Sequence, residues 1–360
     1  MAGLYVHIPF CHSKCLYCDF YSTPDRSAVD KVIVALKDEF MRRRQDIEGP
    51  YKTVYIGGGT PSILSRQQFA SLAAAIPLGD CEEFTIEVNP EDVTPEIAAF
   101  WRDMGVNRVS MGVQSFDDRE LKAVGRRHDA LTAVKAYDCL RDAGFGNISC
   151  DLIYGLPGQS LGSWQKSLGR LVDMAPEHIS AYSLTYEEGT ALTRLRDKGR
   201  IKAADDDLYA DMYYHLIDRL DAAGYRHYEI SNFARPGMTS RHNSSYWTGE
   251  PYLGLGPGAY SFDGKHRIYN SPSIKDYLAG TPEVIEDETD TDIVNDAIIT
   301  ALRTDAGLRL DAVADDYRRD IMRSAGKYLD SGDLILDNDC LVIKERSWLI
   351  ADAIMRDLLV

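Results

Sequence analysis

The stretch Cys11-His12-Ser13-Lys14-Cys15-Leu16-Tyr17-Cys18 brings three cysteines together at C-x3-C-x2-C spacing. It follows an apolar, strand-like run, Leu4-Tyr5-Val6-His7-Ile8, and no fourth cysteine lies nearby, since position 20 is Phe20. Iron–sulfur clusters are normally held by four cysteine thiolates. A cubane cluster held by these three would keep one iron free for an outside ligand. S-adenosylmethionine is the candidate, because its amine and carboxylate can chelate that iron.

A structural zinc site is the alternative interpretation of the same cysteines. His12 or Asp19 would then complete a tetrahedral set of ligands. Closed zinc sites favour two ligand arms separated by a loop, and no second arm lies near this stretch. The spacing favours the open iron–sulfur site and leaves the zinc interpretation to be tested.

The composition indicates an ordinary globular protein without a nucleic-acid partner. The 360 residues are 44% hydrophobic and 27% charged, and their length suggests a large α/β domain with an appendage. The formal net charge of −16 argues against nucleic acid, because neutralising phosphates needs a basic face. The sequence shows neither an apolar run of about 18 residues nor a signal-peptide pattern, so we expect no transmembrane segment and a cytoplasmic protein.

Strand-like and helix-like segments alternate after the cysteines. Six βα units in succession predict a parallel sheet, and its length suits a partial (β/α)6 barrel. The predicted strands are Leu4–Ile8, Thr53–Ile56, Phe84–Val88, Arg108–Gln114, Ile148–Ile153 and His178–Ser183.

A glycine run, Gly57-Gly58-Gly59-Thr60-Pro61, follows the second predicted strand. Three glycines at a strand's carboxyl end let the backbone approach a ligand closely and expose peptide groups to it. A phosphate-binding loop would need Gly-Lys-Ser/Thr before a helix, which this run lacks. The alternative is that the run is only a tight turn.

Polar side chains recur at or near the ends of the later strands. They are Glu87, Gln114, Asp151 and Thr185. Because the carboxyl ends of parallel strands meet at one mouth, we expect these residues to face it together with the cysteines and glycines. A carboxylate and an amide there suit ribose hydroxyls and an ammonium group, and Arg126 or Arg127 offers a guanidinium to a carboxylate. Any one of them alone could instead cap a loop.

Several motifs occur together in a fixed order. They are the cysteine stretch after Tyr5-Val6-His7-Ile8-Pro9-Phe10, then Gly57-Gly58-Gly59-Thr60-Pro61, Glu87-Val88-Asn89-Pro90, Gly112-Val113-Gln114-Ser115-Phe116, Gly125-Arg126-Arg127-His128 and Asp151-Leu152-Ile153-Tyr154-Gly155-Leu156-Pro157. This set resembles the radical S-adenosylmethionine (radical SAM) proteins of the oxygen-independent coproporphyrinogen III oxidase group. The resemblance implies a partial (β/α)6 barrel and a [4Fe-4S] cluster on Cys11, Cys15 and Cys18. The contacts it implies with S-adenosylmethionine are Tyr5, Tyr17, Gly58, Gly59, Thr60, Glu87, Gln114, Arg126 and Asp151.

Two features separate the branches of this group. The oxidases resemble C-x3-C-x2-C-x-C and carry a longer segment before the first strand, whereas this chain has Phe20 and starts its first strand at residue 4. The chain also contains His242-Asn243-Ser244-Ser245-Tyr246-Trp247, which resembles the H-N-x-x-Y-W signature of the HemW (haem chaperone) branch. The resemblance implies a haem ligand at His242, since imidazole is a common axial ligand. The alternative is a loop histidine hydrogen-bonded to the backbone, with Tyr246 and Trp247 in the core.

Two functions follow from the resemblance. In the first, the protein binds haem or another porphyrin and passes haem to an acceptor haemoprotein. In the second, it is an oxygen-independent coproporphyrinogen III oxidase that decarboxylates two propionates to vinyl groups. We favour the haem chaperone on Phe20, the early first strand and the H-N-x-x-Y-W run.

We expect three regions along the chain. Residues 1–234 form the barrel, 235–280 a connecting segment with the H-N-x-x-Y-W run, and 281–360 a winged-helix-like α+β domain. Its hairpin is predicted from Leu334–Leu336 and Leu341–Ile343 around a turn at Asp337-Asn338-Asp339. Because this region is acidic, we interpret it as a protein-contact or lid domain.

Overall fold

A computed structural model describes residues 2–47 and 49–360. Its centre is a run of six strands that pair in chain order, each parallel to the next. They are β1 Ala2–Ile8, β2 Tyr51–Gly58, β3 Glu83–Val88, β4 Arg108–Gln114, β5 Ile148–Tyr154 and β6 His178–Ser183. The predicted α/β class and the six parallel strands are confirmed, with boundaries moved by a few residues.

Helices connect these strands, as parallel pairing requires. They are α1 Val29–Arg43, α2 Arg66–Ala73, α3 Pro95–Asp103, α4 Asp118–Ala123, α5 Ala130–Asp142 and α6 Leu161–Met174. Side chains alternate along each strand. One set is apolar and packs under the helices, and its members include Leu4, Val6, Val54, Ile56, Ile86, Val109, Met111 and Leu152. The opposite set is largely polar and includes Tyr5, Tyr55, Glu87, Arg108, Ser110, Ser149, Asp151 and Ser180. The polar set lines the interior of the barrel.

Residues beyond β6 extend the same sheet at both edges. The added elements are α7 Ala191–Asp197, α8 Asp206–Ala222, β7 Arg226–Glu229, β8 Asn232–Ala234, α9 Arg241–Trp247, β9 Tyr252–Leu255, β10 Tyr260–Phe262, β11 His266–Tyr269, α10 Ile274–Leu278 and β12 Val284–Asp287. On one side β8 pairs with β6, and on the other β9 pairs with β1, parallel to it. Over the described residues the sheet therefore has 12 strands, in the order β12-β11-β10-β9-β1-β2-β3-β4-β5-β6-β8-β7. The main sheet thus continues past residues 234 and 280, where the sequence suggested boundaries.

The last part of the chain forms a small α+β unit. It contains α11 Asp290–Ala301, β13 Leu308–Arg309, α12 Asp315–Ser331, β14 Leu334–Asp337, β15 Cys340–Ile343 and α13 Ala351–Leu358. Its three strands pair antiparallel in the order β13-β15-β14. Asn338 and Asp339 both have positive φ, 48° and 61°, as a two-residue type I′ turn requires. The predicted hairpin is confirmed. In the part of the chain described, no helix combines the length and apolar character needed to cross a bilayer.

Candidate metal and cofactor site

The cysteine loop leaves the carboxyl end of β1 and is held by backbone hydrogen bonds to three distant segments. The N–H of Cys11 donates to the carbonyl of Thr23 at 3.0 Å, and that of Leu16 donates to Val124 at 3.0 Å. The carbonyl of Leu16 accepts from the N–H of Leu192 at 2.8 Å. The loop is therefore placed by tertiary contacts with the end of α4 and the start of α7.

The three cysteines of the loop are free thiols. Cys11 is buried, whereas Cys15 and Cys18 are partly exposed. Burial raises the pKa of Cys11 and of Cys18, and the neighbouring Cys15 thiolate adds to both shifts. A metal centre bound to these cysteines would neutralise the charge of their thiolates.

The zinc alternative would need His12 or Asp19 beside the three thiols. His12 Nε2 lies 2.7 Å from Asp92 Oδ1, and Asp19 and Phe20 are exposed. Within residues 2–47 and 49–360, no three His, Cys, Asp or Glu side chains converge as ligands of a single ion. A cubane distributes its thiolates over several irons, so the ligands of a cluster need not converge on a single ion.

A hydrogen-bond network that we did not predict fixes the loop to β3. Asp92, which holds His12, also accepts from Ser62 Oγ at 2.6 Å, and Ser62 Oγ accepts from the N–H of Asn89 at 3.2 Å. The side chain of Asn89 donates to Thr60 Oγ1 at 3.3 Å. Asn89 belongs to the quoted Glu-Val-Asn-Pro motif, which was the available signal for these residues.

The glycine run seats the end of β2 against the end of β1. The N–H of Gly59 donates to the carbonyl of Ile8 at 2.8 Å, and a Cβ at Gly59 would lie 2.5 Å from the carbonyl oxygen of Phe10. Gly58 has φ 107°, and a Cβ there would lie 2.5 Å from His7 Nδ1. Glycine is needed at these positions for close packing as well as for the turn. The contacts bring the end of β2 against the backbone from which the cysteine loop leaves.

Gly59→Ala should destabilise the protein by about 1–3 kcal/mol, because the added methyl meets backbone that cannot rotate away. Its reconstituted form should also hold less iron than wild type, since the cysteine loop starts at that contact. Chemical denaturation and iron per chain measure both effects. Gly79→Ala is the matched control, because a Cβ at Gly79 meets nothing within 4 Å. Equal behaviour of the two variants would show that the contact is not needed.

Glu87 is the carboxylate at the mouth of the barrel beside the glycine run. Its Oε1 accepts from the hydroxyl of Tyr55 at 2.8 Å, and its Oε2 accepts from the N–H of Gly58 at 3.0 Å. Burial raises the pKa of Glu87 to about 7; the Tyr55 hydrogen bond opposes this shift and the nearby Asp151 carboxylate adds to it. Glu87 therefore lies beside the glycine run, and its carboxylate occupies the N–H of Gly58.

Asp151 and Gln114 occupy the neighbouring strands. Asp151 accepts from the hydroxyls of Ser110 and Ser149 at 3.2–3.3 Å, and burial raises its pKa. Gln114 ends β4 with φ 65°, a left-handed conformation that costs a non-glycine residue energy. Thr185 lies exposed beyond the end of β6.

Arg126 is the arginine that faces the cysteines, and Arg127 is exposed. Arg126 Nη1 lies 3.7 Å from Cys15 Sγ, and Nη2 donates to the carbonyl of Gly112 at 2.6 Å and to Asn89 Oδ1 at 2.7 Å. Its Nε is buried without a partner. Tyr17 lies beside it, and burial raises the pKa of that hydroxyl.

These residues fit a three-thiolate cluster with S-adenosylmethionine on its free iron. The loop supplies three free thiols, which suits a cluster with one open position. The buried, unpartnered Nε of Arg126 is a donor left free next to Cys15. Glu87 and Asp151 add two carboxylates at the neighbouring strands, so both charges of an amino acid have complementary partners.

His242 lies at the opposite end of the barrel from the cysteines. It contacts Gly3 and Thr53, near the starts of β1 and β2, and is 1% exposed. Nδ1 is hydrogen-bonded to Thr53 Oγ1 at 2.8 Å, and Nε2 to the hydroxyl of Tyr246 at 2.8 Å. Burial lowers the pKa of His242 to about 3, so the ring is neutral.

The implied haem ligand therefore has no free nitrogen in this conformation, because both ring nitrogens already bond to the protein. The alternative interpretation, a histidine hydrogen-bonded to the backbone, is wrong about the partners of His242. Its bonds go to the side chains of Thr53 and Tyr246. Tyr5, which was implied in nucleotide binding, hydrogen-bonds His7 Nδ1 at 3.0 Å and stacks near His242.

Known proteins of one family match this chain over almost its whole length. Residues 5–171 match the radical SAM superfamily. The haem chaperone HemW of Bacillus subtilis is 37% identical over 89% of this chain and 88% of its own length. That of Mycobacterium tuberculosis is 36% identical over 99% and 94%.

A solved structure has the same fold at low sequence identity. It is the coproporphyrinogen III oxidase HemN of Escherichia coli, described as a radical SAM enzyme. The TM-score is 0.85 at 23% identity, with 100% of this chain and 90% of that chain covered. This likeness establishes the fold and leaves the activity to other observations.

Proposed function

The chain belongs to the haem chaperone HemW family of the radical SAM superfamily, and from that premise we propose that it binds haem and passes it to an acceptor haemoprotein. The observation that carries this proposal is identity of 36–37% over 89–99% of the chain to proteins named haem chaperones. The exposed Phe20, where the oxidases carry a cysteine, supports it.

Cys11, Cys15 and Cys18 would hold the [4Fe-4S] cluster of the superfamily. The residues proposed for S-adenosylmethionine are Tyr5, Tyr17, Gly58, Gly59, Thr60, Glu87, Gln114, Arg126 and Asp151. When bound, the cluster and S-adenosylmethionine supply one-electron chemistry at a sulfonium. In this arrangement Arg126 counters negative charge at Cys15, and Glu87 presents a carboxylate beside the peptide groups of Gly58.

His242 can serve as the haem ligand only if the hydroxyl of Tyr246 or Thr53 releases its ring. The net charge of −16 favours a protein partner over nucleic acid. We place the protein in the cytoplasm, where thiols such as its seven free cysteines stay reduced.

An anaerobic product assay separates the chaperone from the oxidase. Reconstituted protein is incubated with S-adenosylmethionine, reductant and coproporphyrinogen III, and the porphyrins are then analysed. We expect no protoporphyrinogen, because the chain lacks the oxidase pattern at Phe20. The same preparation should show a Soret band that saturates on haem titration.

The control is protein carrying Cys11→Ser, Cys15→Ser and Cys18→Ser, which measures any reaction without the cluster. Protoporphyrinogen formed by wild type above that background would overturn the chaperone proposal in favour of the oxidase. A haem titration without saturation would remove haem binding altogether.

A further inference from the structure

Helix α9, which carries the H-N-x-x-Y-W run, closes the amino-terminal end of the barrel. Glu83, the first residue of β3, accepts from the backbone N–H groups of Arg241 at 3.0 Å and His242 at 2.9 Å. Arg241 also forms an ion pair with Glu82. The start of α9 is thereby attached to the start of β3. The His242 side chain enters the barrel at the amino-terminal end of the strands.

The ring of His242 lies among the aromatic side chains of the barrel interior. It stacks with Tyr55 at 5.2 Å between ring centroids and an interplanar angle of 23°. Tyr5 stacks on it at 6.4 Å and 28°. A Cβ on Gly3 would lie 3.3 Å from the ring, so the space around His242 is filled.

Tyr55 links this buried ring to the mouth of the barrel. Its ring packs against His242, and its hydroxyl donates to Glu87 Oε1 at 2.8 Å. The other oxygen of Glu87 accepts from the N–H of Gly58. One continuous set of contacts therefore runs from His242 through Tyr55 and Glu87 to the glycine run.

The ring of Tyr55 lies over Gly57 and beside two other rings. Its ring meets Tyr5 at 6.1 Å in a tilted arrangement, and His242 supplies the parallel contact. If the imidazole were removed, the Tyr55 ring could move into the space left below it. The hydroxyl would then leave Glu87, whose carboxylate would lose one of two fixed donors.

We propose that His242 is a positioning residue for the S-adenosylmethionine site: its ring supports Tyr55, which orients the Glu87 carboxylate toward the nucleotide. The H-N-x-x-Y-W run then helps to hold the nucleotide site in its conformation. The inference rests on the proposed function in one respect, namely that Glu87 faces S-adenosylmethionine. It does not depend on haem transfer.

The test compares His242→Ala with His242→Phe in reconstituted, cluster-loaded protein. The measurements are S-adenosylmethionine affinity by anaerobic calorimetry, its perturbation of the reduced cluster's electron paramagnetic resonance signal, and the melting temperature. We expect His242→Ala to bind about tenfold more weakly, as loss of one hydrogen bond to a charged group implies. His242→Phe keeps a ring under Tyr55 and should recover most of that affinity.

The melting temperature should not follow the affinity. Phenylalanine leaves the hydroxyls of Thr53 and Tyr246 buried without their partner, so His242→Phe should stay destabilised while binding recovers. Tyr55→Phe should weaken S-adenosylmethionine binding as His242→Ala does. The double variant His242→Ala/Tyr55→Phe should bind S-adenosylmethionine no more weakly than either single variant, because both substitutions act through Glu87. Tyr246→Phe is the control that removes a partner of His242 outside this route.

Two outcomes would overturn the inference. Wild-type affinity in His242→Ala would do so, and so would an affinity that falls in proportion to the melting temperature in both variants, which indicates a structural role alone. Loss of the haem spectrum in both variants with unchanged nucleotide binding would make His242 the iron ligand instead. If wild type itself bound no S-adenosylmethionine, the proposed nucleotide site would fail first.

Discussion

Protein carrying Cys11→Ser, Cys15→Ser and Cys18→Ser together is expected to be colourless and free of iron, beside a brown wild type. The triple variant lacks all three thiolates that would hold the irons of the cluster. The loop should stay in place, because its backbone is fixed through Thr23 and Val124 and not through the sulfurs. The visible spectrum and the iron content per chain measure the loss, which should be complete.

Cys139→Ser is the matched control, since Cys139 is a free thiol on α5 outside the loop. It should keep the iron content and colour of wild type. Equal iron in wild type and the triple variant would refute the assignment of the cluster to these cysteines. One zinc and no iron in carefully anaerobic wild type would revive the alternative site.

Glu87→Gln should make the protein more stable at pH 8 and weaken its binding of S-adenosylmethionine. Burial raises the pKa of Glu87 from its ordinary value of 4.5 to about 7, so ionising this group costs folding energy above that pH. The wild-type carboxyl gives its full stability below pH 4.5 and loses it as the pH rises to about 7. The gain of the glutamine variant is therefore at most about 3 kcal/mol, less the hydrogen bond from Gly58.

Denaturant unfolding at pH 5 and pH 8, and calorimetric titration of the nucleotide, test both parts. The two proteins should differ less in stability at pH 5, where wild-type Glu87 is mostly protonated. A glutamine variant that is less stable than wild type at pH 8 would show that the hydrogen bonds accepted by the Glu87 carboxylate contribute more stability than its buried charge costs. Unchanged nucleotide affinity would remove Glu87 from the binding site.

Much of the fold could be predicted because its signals are local. Alternation of strand and helix patterns predicted six parallel strands, since the period of side chains in each element is set by its backbone. The turn at Asn338 and Asp339 was predictable for the same reason. The extra parallel strand β9 was not, because its partner β1 lies about 250 residues away in sequence and the short run Tyr252–Leu255 carries little periodic signal.

The candidate site also combines features that are local in the sequence with features that are not. Spacing alone indicated Cys11, Cys15 and Cys18, because three ligands within one loop must lie close together. The partners that hold the loop and the carboxylate come from other strands and could not be read from spacing. Tyr55 shows this, because it is an unremarked residue inside a predicted strand that proves to hold Glu87.

The amino-acid sequence by itself determined the order of strands, the open set of three thiols and the family, because each depends on residues near one another in the chain or on motifs in fixed order. Only the tertiary structure decided which groups meet across the barrel. It gave both nitrogens of His242 to Thr53 and Tyr246, and it placed the Arg126 guanidinium against Asn89 and the carbonyl of Gly112. The physical reason is that burial and hydrogen-bond partners are properties of packed neighbours, which a motif does not specify.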